Sequence, residues 1–145
     1  MSPLTPIPFA APWEYELRFP RDPRGPGIAR ATLRAVLAAH GLGELVDCAE
    51  LLTSELTTNS VRYAYGFATV RLKWLHPVLR VSVWDTSPAF PVHAVPDAER
   101  DGGRGLHILD LLADRWGGLA IGEEPFGMAG KTVWFELWWP GAGVA

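Results

Sequence analysis

The chain has one cysteine and no long hydrophobic run. These two features limit the cellular compartments in which we expect the protein. Cys48 alone cannot form an internal disulfide. Spanning a bilayer takes roughly 20 apolar residues, and Arg, Glu, Asp or Gly interrupts every apolar run of this chain. The opening MSPLTPIPFAAPW has neither a basic start nor a long apolar stretch, so it does not read as a secretion signal. We therefore expect a cytoplasmic protein with no membrane span.

Positive charge is also scarce. Thirteen Lys and Arg residues against sixteen Asp and Glu residues give a formal net charge of -3, which supplies no strong field for nucleic acid or anionic lipid. Hydrophobic residues make up 48% of the 145 positions, enough for one folded core. Prolines crowd residues 1–12 and predict a loosely ordered tail, so we assign the domain to residues 13–140.

The pattern of apolar residues predicts an α+β protein with a mainly antiparallel sheet and helices on one face, a two-layer sandwich. Alternation predicts strands, and helical spacing together with glycine stops predicts helices. The predicted order is strand 14–19, helix 28–40 ended by Gly41, helix 44–63, strands 69–75 and 79–85, helix 106–113, and strands 115–120 and 131–139.

Two polar side chains of the long helix are candidates for a binding site. Glu55 and Asn59 are four residues apart and share one face of the helix. Asn59 lies close to the apolar face and should point inward. A buried amide needs a partner, which an ion or a ligand can supply. For an arbitrary helix, capping a loop or half-solvated placement is the commoner explanation of such a pair.

A carboxylate and a glycine-rich segment extend this candidate site. Asp85 ends the apolar stripe of strand 79–85 and should enter the interior, where it needs a partner; an ordinary turn aspartate is the alternative. In DGGRGLHILDLLADRWG, Gly103 and Gly105 precede a helix predicted to start near Leu106. Backbone amides at such a helix start bind anions such as phosphate, although many helix-entry loops use glycine for geometry alone.

These segments, in this order, resemble the GHKL superfamily of gyrase, heat-shock chaperone and histidine-kinase ATPases, and within it the stand-alone anti-sigma-factor kinases of the actinobacterial type. Glu55, Asn59 and Arg62 match the superfamily's N box, VWDTSP with Asp85 matches its first glycine box, and DGGRGLHILDLLADRWG matches its second. GKTVWFEL, residues 130–137, resembles the closing strand, whose threonine would be Thr132. Ser87 and Ala89 stand where the usual pattern has glycines.

The resemblance implies the superfamily's ATP-binding sandwich, named the Bergerat fold, and a role for each matching residue. It implies that Asn59 coordinates magnesium and that Glu55 orients or deprotonates an attacking group. It implies that Asp85 accepts a hydrogen bond from the adenine amino group. The remaining nucleotide contacts that it implies fall on Arg62, Gly103, Arg104, Gly105, Leu106 and Thr132. Strand alternation argues against Thr132, since Val133, Phe135 and Leu137 mark the inward face.

Three functions follow from the resemblance. The first is a magnesium- and ATP-dependent protein serine/threonine kinase of transcription regulation, which phosphorylates an anti-anti-sigma-type partner and sequesters a sigma factor. The second is a nucleotide-dependent binding module with little transfer activity, because Asp101 and Gly102 stand where kinases of this type carry an arginine. The third, a detached histidine-kinase catalytic domain, is disfavoured because no second domain offers a phosphoacceptor histidine.

The closing strand carries apolar residues on both faces, whereas a sheet covered on one side needs only one. Trp134 and Trp138 alternate away from the inward residues, and so does Trp84 on its own strand. Large aromatics of this kind mark interfaces, so a homodimer or a protein partner is expected on this face. The alternative is that the N-terminal segment around Trp13 and Tyr15 folds back over them.

Overall fold

The computed structural model describes residues 11–87, 101–121 and 130–140, with the backbone alone for 101–106 and 121. The helices and strands follow the predicted order. They are β1 (Trp13–Phe19), α1 (Gly25–Ala39), a 3-10 turn (Gly43–Leu45), α2 (Val46–Tyr63), β2 (Ala68–Leu75), β3 (Val78–Asp85), α3 (Asp101–Leu112), β4 (Arg115–Ile121) and β5 (Gly130–Trp138). None of the helices in these ranges is long and apolar enough to cross a membrane.

The five strands form one sheet in the order β1-β2-β3-β5-β4, and every neighbouring pair is antiparallel. Helix α2 packs on α1, on α3 and on strand β3, so the helices form a second layer on one face of the sheet. The predicted α+β sandwich is confirmed. Helix α2 lies over the middle of the sheet, which is why its buried side chains can reach the end of β3.

Alternation along the central strands decides which side chains face the helices. Apolar residues of the inner face are paired across three strands: Val83 with Val70 and Val133, and Val81 with Leu72 and Phe135. All of them are buried. Burying side chains of this size contributes about 1.5–3 kcal/mol each relative to leaving them in water, so the inner face fixes the strand register.

Helix α1 ends where the glycine predicts. Gly41 has φ of +74°, a conformation that side chains with a Cβ rarely adopt. The Leu42 amide donates to the Leu37 carbonyl at 2.8 Å, and the Gly41 amide donates to the Ala38 carbonyl at 3.2 Å. This pair of bonds satisfies two carbonyls that the helix end leaves open. It also turns the chain so that Leu42, fully buried, packs into the core.

The sheet face that points away from the helices carries three tryptophans. Trp134 lies under the Arg80 guanidinium, 4.1 Å from ring centroid to Cζ, and against Gly117, where an added Cβ would meet the ring at 2.8 Å. Trp84 packs at a tilt against Phe67. Trp138 is 41% exposed. The predicted second aromatic face therefore exists.

Strand β1 does not cover that face. Trp13 pairs with Trp74, and Tyr15 pairs with Leu72, so both aromatics point toward the helix layer. There the Trp13 ring stacks on His40 with 4.4 Å between centroids, and the Tyr15 hydroxyl lies 2.8 Å from Nε2 of His40. The alternative in which Trp13 and Tyr15 shield the outer tryptophans is wrong, because β1 joins the sheet as its edge strand.

Candidate functional site

Helix α2 carries two polar side chains into the interior one after the other. Asn59 is 7% exposed and Ser60 is 2% exposed. Glu55, one turn earlier, is half-buried, and Arg62, one turn later, is exposed. The expectation that Asn59 points inward is confirmed. No hydrogen bond to the Asn59 side chain is found among the described residues, so its amide can accept a ligand.

Asp85 is almost wholly buried, at 1% exposure, and it has partners on three sides. Its Oδ2 accepts from the Ser60 hydroxyl at 2.7 Å and from the Lys131 ammonium at 2.8 Å, and its Oδ1 accepts from the Ser87 amide at 2.9 Å. A carboxylate has about four acceptor positions, so one remains open. Asp85 is thus a charged acceptor held in place by helix α2, by strand β5 and by the chain that follows it.

Lys131 is a further residue of this group, and the sequence alone did not predict it. It pairs with Asp85 across β3 and β5 and is 5% exposed. Lysine is almost never buried unless it is paired, which is why a lysine at a strand start reads as a surface residue. The alternation of strand faces could have predicted its burial. Lys131 precedes Val133, Phe135 and Leu137 at even spacing and so belongs to their face.

The same register leaves Thr132 outside this group. Thr132 lies opposite Trp84, on the face away from the helices, while Asp85 points into the helix layer. Strand β5 pairs with β3 in regular register from Val78 through Asp85, so no bend at the start of β5 turns Thr132 inward. The position that meets Asp85 is therefore Lys131 and not Thr132.

Asn59, Asp85 and Lys131 line one small cavity between α2 and the sheet. Its other walls are Leu56, Ser60, Val83 and Val133. The cavity volume is about 10 Å³, which is the lower limit for a single water molecule. A purine ring cannot fit inside it, so a bound base can offer this cluster only an edge. The structure thus brings the two principal predicted residues to one place.

Arg62 lies elsewhere. It lines an open groove between the start of α1 and the side of α2, together with Arg24, Arg30, Ser54 and Thr58. Its carbonyl accepts from the Arg21 guanidinium at 3.3 Å. Glu55 belongs to neither the groove nor the small cavity.

The second glycine segment corrects one expectation. Helix α3 begins at Asp101, not near Leu106, so Gly103 and Gly105 lie in its first turns rather than in a loop ahead of it. Glycine in a helix interior costs about 1 kcal/mol relative to alanine. For that reason the sequence predicted that the helix starts after the glycines. Leu109, fully buried, packs the helix on the core. The side chains of Arg104 and Leu106 fall outside the described residues.

The oxygen atoms of this site could supply only part of the coordination shell of a magnesium ion. Within ranges 11–87, 107–120 and 130–140, no three His, Cys, Asp or Glu side chains come close enough to hold a metal ion. Magnesium prefers oxygen ligands, keeps several waters and is usually bound together with substrate phosphates. The open amide of Asn59 suits that role, whereas the carboxylate of Asp85 is already neutralised by Lys131.

An antiparallel sheet with helices on one face, and a buried amide and carboxylate between them, is the arrangement of the GHKL ATPase class, to which the family comparison assigns this fold. The chain belongs to the histidine kinase-like ATPase domain family, whose model matches residues 19–135. The matched range includes Glu55, Asn59, Asp85 and Lys131. No curated protein matches the chain. Membership in this family supports ATP binding.

Proposed function

We propose that this protein is a magnesium- and ATP-dependent regulatory kinase of the anti-sigma-factor type, which phosphorylates a serine or threonine of an anti-anti-sigma-type partner. The observation that carries the nucleotide part is the convergence of Asn59 and Asp85 on one cavity between α2 and the sheet. An acceptor for the base and a metal-binding amide on the same helix–sheet seam are what a bound nucleotide requires. The kinase part rests on the sequence resemblance.

The residues divide the work between the two ends of the nucleotide. Asp85 accepts a hydrogen bond from the adenine amino group through its open acceptor position. The amide oxygen of Asn59 is the group that would hold magnesium. When bound, magnesium neutralises phosphate charge, which is the main requirement of phosphoryl transfer. The first turn of α3 adds backbone amides whose dipole favours phosphate.

Glu55 is the proposed base. It lies one turn before Asn59 on α2 and is half-buried, so it is near the metal-binding position and still reachable by a partner's side chain. Its carboxylate takes the proton of the attacking hydroxyl. The hydroxyl oxygen bonds to the γ-phosphorus, and the bond from that phosphorus to the β,γ-bridging oxygen breaks.

One observation favours a second function, a nucleotide-dependent binding module that transfers no phosphate. Helix α3 has the acidic residue Asp101 as its first residue. Kinases of this type carry an arginine just before their second glycine box. A negative charge there opposes phosphate. ATP would then determine the conformation of the protein, and a sigma factor or anti-anti-sigma partner would bind that conformation.

A labelling experiment separates these functions. Pure protein is incubated with γ-labelled ATP, magnesium and a panel of sigma-factor and anti-anti-sigma proteins. Label on a partner's serine or threonine supports the kinase, and ATP-dependent binding of a partner without label supports the module. Absence of ATP binding by calorimetry overturns both.

The tryptophan face supports a protein contact, either with such a partner or with a second copy. Trp138 is exposed, and the edge strand β1 leaves it uncovered. Tryptophans are frequent energetic anchors of interfaces. Light scattering at several concentrations, repeated with Trp138→Ser, tests self-association. A monomer at every concentration would exclude the homodimer.

A further inference from the structure

Lys131 carries a positive charge into the interior beside the proposed adenine-binding group. Its side chain is 7% exposed and its Nζ lies 2.8 Å from Oδ2 of Asp85. Lysine has three N–H donors. Within the described ranges, Asp85 is the acceptor found for Nζ, which leaves donors that can turn toward a ligand at the shared cavity.

Asp85 does not depend on Lys131 for its hydrogen bonds. The Ser60 hydroxyl and the Ser87 amide already hold both of its oxygens. The lysine therefore contributes a charge and free donors rather than the positioning of the carboxylate. A threonine or serine at this position would add no charge that must be paired when buried.

We propose that Lys131 reads the base together with Asp85, by donating a hydrogen bond to the ring nitrogen N1 of adenine. This inference rests on the proposed ATP-binding function. Adenine presents an amino donor at C6 beside an acceptor at N1. Asp85 and Lys131 present an acceptor beside a donor, which is the complementary order. Guanine presents the reverse, a carbonyl acceptor at C6 and an N–H donor at N1, and it meets both residues with the wrong polarity.

Binding of an analogue that lacks only the N1 acceptor tests the proposal. In 1-deaza-ATP a C–H replaces N1, while the amino group that Asp85 binds remains. Hydrogen bonds to charged groups are worth enough to change affinity about 10- to 100-fold. We expect the wild type to bind ATP tighter than 1-deaza-ATP by that factor in calorimetry. Equal affinity of the wild type for the two nucleotides would overturn the proposal and leave ATP binding itself intact.

Variants of the two lysines test whether the preference for ATP over 1-deaza-ATP depends on Lys131. Lys131→Met should bind ATP and 1-deaza-ATP equally, and Lys131→Arg, which keeps donors, should retain part of the preference. The chain has one other lysine, Lys73, which is exposed on β2. Lys73→Met is therefore the matched control and should keep the full preference. A preference that survives in Lys131→Met would assign the N1 contact to another residue and refute the proposal.

A measurement on the unaltered protein covers the case in which Lys131→Met does not fold. With 15N-labelled lysine, the protein has two Nζ signals, and Lys73→Arg identifies them. ATP should shift the Lys131 signal and leave that of Lys73 unchanged, and 1-deaza-ATP should shift it less. Equal shifts with the two nucleotides would overturn the N1 contact. Absence of any binding by the wild type would instead overturn the proposed function from which the contact was inferred.

Discussion

The hydroxyl of Ser60 donates a 2.7 Å hydrogen bond to the carboxylate of Asp85, and this bond joins helix α2 to the end of strand β3. Both residues are buried. We expect Ser60→Ala to lower the free energy of unfolding by about 1–2 kcal/mol, because a hydrogen bond to a charged group is lost while Lys131 and the Ser87 amide remain. Urea unfolding measures the change. Ser54→Ala in the same helix corrects for the higher helix propensity of alanine; equal stability changes in the two variants would contradict the expectation.

Magnesium dependence of ATP binding should reside in Asn59. Asn59→Ala is expected to weaken Mg-ATP binding about tenfold or more, the loss of one contact to a charged group, and to leave ATP binding in the presence of EDTA little changed. Calorimetry with and without magnesium checks both. Thr58→Ala, the adjacent side chain that lines the groove toward α1, is the control. An unaltered Mg-ATP affinity in Asn59→Ala would remove the residue from the metal site.

Glu55 should affect turnover rather than binding. A base that accepts the proton of the attacking hydroxyl acts in the transition state, so Glu55→Gln is expected to keep its ATP affinity and to lose about 100- to 10,000-fold in phosphate transfer to a verified partner. Glu50→Gln is the matched control on the same helix, where Glu50 is paired with Arg34. Undiminished transfer by Glu55→Gln would show that another group takes the proton.

A buried hydroxyl of α2 offers a stability test away from the site. Oγ1 of Thr53 has no hydrogen-bond partner among the described residues, and the side chain is fully buried. Thr53→Val replaces that hydroxyl with a methyl of similar size, so we expect a gain of about 1 kcal/mol in unfolding free energy. Thr57→Val is the control, since the Thr57 hydroxyl donates to the Thr53 carbonyl at 2.7 Å. A loss of stability in Thr53→Val equal to that of the control would contradict the expectation.

The single thiol should react slowly. Burial raises the pKa of Cys48, and the negative charge of Asp114 raises it further. The thiolate is the reactive form, so its alkylation by iodoacetamide should require a higher pH than alkylation of a free cysteine, whose pKa is about 8.5. Asp114→Asn should lower that pH in part. A rate profile that matches free cysteine would contradict the shift.

The sequence was sufficient for the fold because its signals are local and mutually consistent. Gly41 ends α1, and the alternating apolar runs give β2, β3 and β5 with their inner faces. For the site, the inward placement of Asn59 and Asp85 followed from the same periodicities. The burial of Lys131 was not predicted, because a lone lysine is a surface residue by default. Its burial depends on a partner on another strand. The start of α3 was predicted too late because Gly103 and Gly105, which have low helix propensity, lie in its first turns.

The strand order has a consequence for how the protein acquires its activity. Strand β5 follows β4 in the chain but lies between β3 and β4 in the sheet. A nascent chain that has emerged only as far as β4 leaves β3 with an open edge, and Asp85 lacks its cationic partner. Pairing over such a sequence separation forms late and slowly. The buried pair of Asp85 and Lys131 is thus assembled in the same step that closes the sheet, so a chain that ends before β5 lacks the complete cluster between α2 and the sheet.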